Sequence, residues 1–456
     1  MKISFFGGAR WVTGSNYLLE HGEIKVLVDC GLFQGRKYAE DLNYETFRYR
    51  PSDINYVLLT HSHTDHIGRV PKLYKDGFRG KIYATSATKD LMAVSLPDSL
   101  NKIIEEAKSS DHPPLFEAED VLEALALVEG FDYDTEINLF PEVKVVFHDA
   151  GHILGSSIIQ LTWRETGVSR NIFFSGDLGN PPTPLLMPTE FISHADYLVI
   201  ESAYGDRVHE EREKRKEKLI KVIKETIDRQ GVLMIPTFAM ERTQELLYEL
   251  NELINNKKIP PIPVFIDSPL AIKLTDVYKK HFKYFNKTAV YLIDSGDDIF
   301  NFPGLRMTPT VEESKSINNI SPPKIIIAGS GMSHGGRILH HELRYLPDPK
   351  NAILFVGYQV DGSRGRHIQR GDKAITIFGQ TVPVNCHIEN ISSYSSHADQ
   401  RSLLEWVEKA NSDQRLKKVF VVQGEETPSK TLAYLIREKI GVDAVSPLEN
   451  EAFELN

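Results

Sequence analysis

Residues 56–69 read YVLLTHSHTDHIGR: an apolar run from Tyr56 to Leu59, then His61, His63, Asp65 and His66 crowded into the turn behind it. A short continuous apolar run that ends in a polar turn is the pattern of a buried strand. Successive side chains leaving a strand alternate between its faces, so His61 and His63, two apart, share a side and can reach one metal. Asp65 and His66 follow in the turn and can reach a second. A lone histidine there would be an ordinary polar turn residue; three imidazoles and a carboxylate are the donors that zinc prefers. Two later strand ends repeat the chemistry, His152 in DAGHILGS and Asp177 in FFSGDLGN, each beside small residues that permit close packing. A paired site needs a ligand that can bridge, and Asp177 has two oxygens to share. His148 precedes the glycine-flanked turn that carries His152 and is read as structural.

The rest of the chain sets bounds. Its 456 residues, 41% hydrophobic and 25% charged, are an ordinary composition with enough length for two or three packed domains. No apolar stretch approaches a membrane span, and the opening MKISFFGGARWVTGSN breaks at Gly7-Gly8 before any signal-peptide core forms, so it reads as a first strand and no membrane partner is expected. Two cysteines, Cys30 and Cys386, make no disulfide framework and fit a reducing cytoplasm. A net charge of −10 argues against a passive nucleic-acid coat protein. It does not argue against a nuclease, because bound cations offset the carboxylates that hold them and attract phosphate.

Up to about Tyr204 the texture is β-rich, with KISFFGG, NYLLEHG, IKVLVDCG, YVLLTHS, VKVVFHD, SIIQLTW and NIFFSGD as strands. Residues 89–129 read as helical instead, with Val121, Ala124, Leu125 and Val128 at helical spacing. Beyond Tyr204, HEEREKRKEKLIKVIKETI is a charged amphipathic helix whose 209–218 stretch reads as a solvated face. The strands GVLMIPTF, IPVFID, PKIIIAGS and NAILFVGY then alternate with helices, which predicts a parallel sheet flanked by helices. Three of these strands run into helix starts, PTFAMERTQE, DSPLAIKL and SGMSHGGRILHH, where backbone N–H groups can hold phosphate or Ser and Thr can simply cap.

Together these motifs carry a resemblance. HSHTDH, GHILGS and SGDLG, preceded by DCGLFQG with Asp29, resemble the motifs of the metallo-β-lactamase superfamily. ESAYGDRVH with Glu201, VDGSRGRHI with His367 and SSYSSHADQ with His397 are similar to the additional motifs of its β-CASP nucleases, in the family's order and from the first strand nearly to the C-terminus. The resemblance implies an αββα sandwich with an inserted β-CASP α/β domain: lactamase-type residues 1–205, inserted domain 206–365, and lactamase-type residues 366–456. It implies two Zn2+ per chain, one held by His61, His63 and His152, the other by Asp65, His66 and His397, with Asp177 bridging and Asp29 orienting the cluster from behind. Catalysis would fall to Asp65, Glu201 and His367, the Glu201 carboxylate keeping the His367 imidazole oriented and charged so that it protonates the leaving oxygen; the products would be a 5′-phosphate and a 3′-hydroxyl. Ser330, Ser333 and His334 are candidates for holding a backbone phosphate. His340 and His341 are open between substrate contact and plain exposure.

The substrate implied is single-stranded RNA, cut internally with 5′-to-3′ trimming as a second activity. A DNA nuclease of the same family is the alternative; the histidine at 397 favours RNA. A small-molecule hydrolase is disfavoured by the insertion, and a non-catalytic RNA-binding subunit by the filled ligand positions. The chain reads as a compact form similar to the pre-mRNA 3′-end nuclease and RNase J, without KH or RNase J C-terminal domains; the sequence leaves a homodimer open. Gln423 stands in VFVVQGEE where relatives usually show histidine.

Overall fold

The computed structural model describes residues 1–456 except 36–39, 109–112, 166, 210–213, 358 and 361. The chain forms two compact units, one of Met1–Thr183, Met187–Val208 and Ser396–Asn456, the other of Pro184–Leu186 and His209–Ser395.

The first unit contains two seven-stranded sheets. One runs, edge to edge, Ala452–Glu454, Lys2–Gly7, Asn16–His21, Ile24–Val28, Tyr56–Leu58, Lys81–Thr85 and Val128–Phe131; the other runs Asp443–Val445, Lys418–Val421, Tyr197–Ile200, Val168–Phe174, Ser157–Glu165, Val143–Asp149 and Ile137–Phe140. The strands are apolar on both faces, as a four-layer arrangement requires. Val26, Val28, Leu58 and Val199 enter a core that also holds Phe5, Trp163 and Phe420. Their neighbours Leu27 and Val57 face outward into a second core, with Leu73, Met92 and Val121 from the helices Val70–Lys75, Ser86–Lys108 and Ala118–Ala126. Leu198 and Ile200 face a third, with Leu403, Trp406 and Leu432 from the helices Gln400–Ala410 and Glu426–Ile440. This alternation is the αββα sandwich expected. Each fully buried Leu, Val or Phe contributes roughly 1.5–3 kcal/mol to holding the layers together.

The second unit is built on a six-stranded sheet in the order Leu305–Met307, Val264–Asp267, Lys324–Ala328, Val232–Pro236, Ala352–Phe355, His387–Asn390, with parallel pairing throughout. Helix Arg215–Asp228 leads into its first strand, and helices Arg242–Asn255, Pro269–Lys280 and Ile338–Tyr345 lie in the connections between its strands. This is the parallel α/β insertion expected.

Three expectations are corrected. The return to the first unit falls at Ser395–Ser396 and not at 365–366, because His387–Asn390 hydrogen bonds beside Ala352–Phe355 in the inserted sheet. Val128 belongs to a strand paired with Ile82, since the helix before it ends at Ala126. Arg215, read as part of a solvated run, is buried with its guanidinium 2.5 Å from Glu249; residues 210–213 of that run lie outside the described residues. At DSPLAIKL the Ser268 hydroxyl accepts the Ala271 N–H, so it caps the helix. Cys30 and Cys386 are both buried free thiols. Among the described residues no helix is long and apolar enough to cross a membrane.

Candidate metal centre

In the first unit, loops from both sheets are stitched together at the strand ends. The Cys30 N–H donates to the His66 carbonyl and the Leu32 N–H to that of Thr64. Gly31 lies between them, and a Cβ there would sit 1.5 Å from the Asp65 carbonyl oxygen, so only glycine allows the approach. From the second sheet, the Gly179 N–H donates to Ala150 and the Ala398 N–H to Leu178, while Gly179 and His397 form an antiparallel bridge. A Cβ on Gly179 would meet the Gly151 carbonyl at 2.1 Å. These contacts bring HSHTDH, GHILGS, SGDLG and SSHAD to one place.

Four donors converge there. His63 Nδ1 lies 3.1 Å from His61 Nε2 and 3.2 Å from His152 Nε2, and both of those nitrogens lie 3.5 Å from Asp177 Oδ2. A tetrahedron with metal–nitrogen bonds of about 2.0–2.1 Å has edges of roughly 3.3–3.4 Å. The four atoms lie within 4.8 Å of one another. The donor set therefore fits zinc in both chemistry and spacing.

The far side of the rings fixes which nitrogen faces inward. His152 Nδ1 lies 3.3 Å from the Ser396 carbonyl oxygen and His61 Nδ1 lies 3.1 Å from the Thr60 hydroxyl, which leaves each Nε2 for the centre. His66 Nδ1 lies 2.7 Å from Asp29 Oδ2 and its Nε2 is 3.3 Å from Asp177 Oδ1. Asp29, buried and with φ of 58°, also accepts the Thr60 N–H at 2.8 Å, the Thr60 hydroxyl at 2.9 Å and the Ser15 hydroxyl at 3.2 Å. It supports the cluster from behind.

The electrostatics suit a cation. Burial, with neighbouring imidazoles, holds His61, His63 and His152 below the usual histidine range, the neutral state that binds metals. Burial disfavours ionised Asp177, but His66, His61 and His397 outweigh it and hold the carboxyl well below its usual range. Burial likewise opposes the His397 cation, yet Glu201 and Asp177 raise it to about 9. Metal binding would exchange such protons for the ion.

The other expected ligands gather less closely. Asp65 Oδ2 is 3.8 Å from His66 Nε2, and these two with Asp177 Oδ1 form one edge of the centre. His397 is on the other edge, its Nδ1 3.8 Å from Asp177 Oδ2 and 3.2 Å from Glu201 Oε2. Glu201 is fully buried and also accepts the Leu178 N–H at 2.6 Å. It therefore supports His397, the pairing that the sequence reading gave to His367; Arg207 pairs with its neighbour Asp206 at 2.8 Å. Sequence reasoning left Gln423 unassigned. Its amide Nε2 lies 2.7 Å from His66 Nε2 in the buried wall of the centre. His148 stands apart, against Asp134 and Gln160.

The remaining candidates are in the second unit. His367 Nδ1 lies 2.8 Å from Asp372, which Arg370 and His367 together hold down to about 2. Asp372 was missed, although an acid five residues past a helical histidine was a readable signal. Ser333 is wholly buried and its hydroxyl donates to Glu342, so it shapes the loop and presents no hydroxyl to a phosphate. Ser330 Oγ accepts the His334 and Gly335 N–H groups, at 3.0 and 3.3 Å, and is equally structural; His334 is exposed. His341 is buried against Asp267 at 2.7 Å, and His340 lies with its ring 4.8 Å from that of Phe378.

Three family models match the chain: a metallo-beta-lactamase superfamily model over residues 9–228, a Beta-Casp domain model over 243–368, and a Zn-dependent metallo-hydrolase RNA specificity domain model over 381–447. Ribonuclease TTHA0252 of Thermus thermophilus is 37% identical over 96% of each chain. An RNase J-like protein of Methanocaldococcus jannaschii is 30% identical over 98% of each, and the transcription termination factor FttA of Methanosarcina mazei is 31% identical over 97% of this chain and 70% of its own. A crystal structure of a protein of unknown function from Enterococcus faecalis shares the fold, with a TM-score of 0.57, 13% identity and 99% coverage of both chains.

Proposed function

This chain belongs to the β-CASP family of the metallo-β-lactamase superfamily, and we propose that it is a zinc-dependent ribonuclease that hydrolyses phosphodiester bonds of single-stranded RNA. The observation that carries the reading is the convergence of His61, His63, His152 and Asp177 at tetrahedral spacing, each histidine offering one nitrogen inward. The ribonuclease name of the Thermus thermophilus relative supports RNA as the substrate.

His61, His63, His152 and Asp177 would hold one zinc ion, and Asp65, His66 and His397, with Asp177 shared, would hold the other. When bound, the pair supplies Lewis-acid polarisation of the phosphoryl group and a water acidic enough to attack at neutral pH. The protein's own groups position and protonate. Asp29 accepts Nδ1–H of His66, and Glu201 accepts Nδ1–H of His397, which orients both imidazoles. His367, held by Asp372, donates the proton that the leaving oxygen needs. The ionised Asp372 keeps that imidazole in its donating orientation.

Matched RNA and DNA oligomers of one sequence, digested by the zinc-replete protein in single-stranded and duplex form, test the reading. Preferential cutting of single-stranded RNA is expected. Faster cutting of duplex DNA would replace it with the DNA-nuclease alternative. Whether the enzyme works alone or as a homodimer is read from its mass in solution under the same conditions.

A further inference from the structure

Phe238 lies two residues beyond the wholly buried strand Val232–Pro236 and is 47% exposed. A single exposed hydrophobic is ordinary in itself. The surroundings of Phe238 are specific. A Cβ on Gly331 would sit 3.0 Å from its ring atoms Cδ2 and Cε2, and one on Gly357 3.8 Å from Cε2. Gly331 and Gly357 follow the strands Lys324–Ala328 and Ala352–Phe355, which flank Val232–Pro236 in the parallel sheet. One edge of the ring therefore rests on two glycines at the carboxyl ends of neighbouring strands, and the rest is open to solvent.

This floor is rigid. Buried Gln359 donates from one Nε2 to the carbonyls of both glycines, at 3.0 Å to Gly331 and 3.2 Å to Gly357. The Gly365 N–H donates to the Met332 carbonyl, and the Arg364 guanidinium donates to the Ser333 carbonyl at 2.5 Å, which ties down the loop after Gly331. The position within the sheet also matters. The connection leaving Val232–Pro236 runs to Val264–Asp267 on one side, and the connection leaving Lys324–Ala328 runs to Ala352–Phe355 on the other. Adjacent parallel strands whose connections depart in opposite directions open a crevice at their carboxyl ends, and open α/β sheets bind ligands there.

We propose that Phe238, on the floor made by Gly331 and Gly357, is a stacking platform for one unpaired nucleobase of single-stranded RNA. The inference rests on the ribonuclease reading above and adds a contact that reads the base's flat face. Stacking on an aromatic ring requires a base free of its helix neighbours and tolerates any of the four, so the platform favours single strands without imposing a sequence.

A short RNA carrying 2-aminopurine at successive positions, mixed with zinc-loaded protein in a stopped-flow instrument before turnover, reads the contact directly. One position is expected to be quenched on binding. Phe238→Ala is expected to lose that quench and about tenfold in affinity, and Phe238→Trp to restore both. An oligomer abasic at the same position is expected to bind the wild type and Phe238→Ala equally. Unchanged affinity of Phe238→Ala for the base-bearing RNA, or an equal loss on the abasic one, would overturn the platform while RNA binding by the wild type stood. A wild type that binds neither oligomer would instead overturn the ribonuclease reading, and the platform with it.

Discussion

The buried Glu201 carboxylate holds the His397 imidazole, Oε2 to Nδ1, at 3.2 Å, while its other oxygen takes the Leu178 N–H at 2.6 Å. Leu178 adjoins Asp177, so a single side chain fixes the spacing between Asp177, the carboxylate proposed to be shared, and His397, the histidine proposed to close a second metal site. Removing a partner of this kind costs roughly 10–100-fold in metal affinity.

Glu201→Gln is therefore expected to weaken the second zinc by that factor and leave the first, held by His61, His63, His152 and Asp177, unchanged. Chelator competition on the purified variant measures both. Two unchanged affinities beside lost activity would move Glu201 from positioning to proton transfer.

Much of this centre was legible in the sequence, for a local reason. His61, His63, Asp65 and His66 follow one strand, and His152 and Asp177 sit in glycine-flanked turns; glycines such as Gly31 and Gly179 are needed where loops touch. The pairings were not legible. Glu201 and His397 are far apart in sequence and meet through the Gly179–His397 bridge, and Gln423 reaches His66 only because its strand ends beside the first sheet. Ser333 looked like a phosphate contact because hydroxyls, glycines and a helix start stood together. Its burial against Glu342 depends on packing that no local pattern records.

Burial lifts the Glu342 carboxyl to about 8 in the folded protein, against 4.5 for its ordinary value. The folded state thus keeps a proton that the unfolded state releases, so this group's contribution is present below pH 4.5 and is lost as pH rises from there through 8. The full shift corresponds to ~5 kcal/mol. Glu342→Gln removes the titration, and the wild type is expected to lose on the order of 10 °C in Tm relative to the variant between pH 4.5 and 8.5. Parallel melting curves across that range would show that Glu342 ionises in place without cost.

His367 is bound to Asp372 at 2.8 Å, and its proposed task is to protonate the leaving oxygen. His367→Ala is expected to slow cleavage of an ordinary RNA phosphodiester by 10²–10⁴-fold. A nitrophenyl phosphodiester, whose leaving group departs without a proton, is expected to be slowed far less. Equal losses on the two substrates would assign His367 to binding or structure.

The last prediction concerns where on the RNA the cut falls. An enzyme with a closed pocket for a 5′-phosphate must thread an end, whereas one with an open groove can bind internally, and both designs use the same metal chemistry. Of the three residues proposed to hold a phosphate, Ser333 is buried, Ser330 spends its oxygen on two backbone N–H groups, and His334 alone of the three is exposed. Phe238 stacks a base without needing a terminus. Internal cleavage is therefore expected as the main activity, with 5′-to-3′ trimming secondary. A circular single-stranded RNA has no end to thread, so its linearisation, followed on a denaturing gel, supports internal cutting. An intact circle beside a fully degraded 5′-monophosphorylated linear control would reverse the assignment.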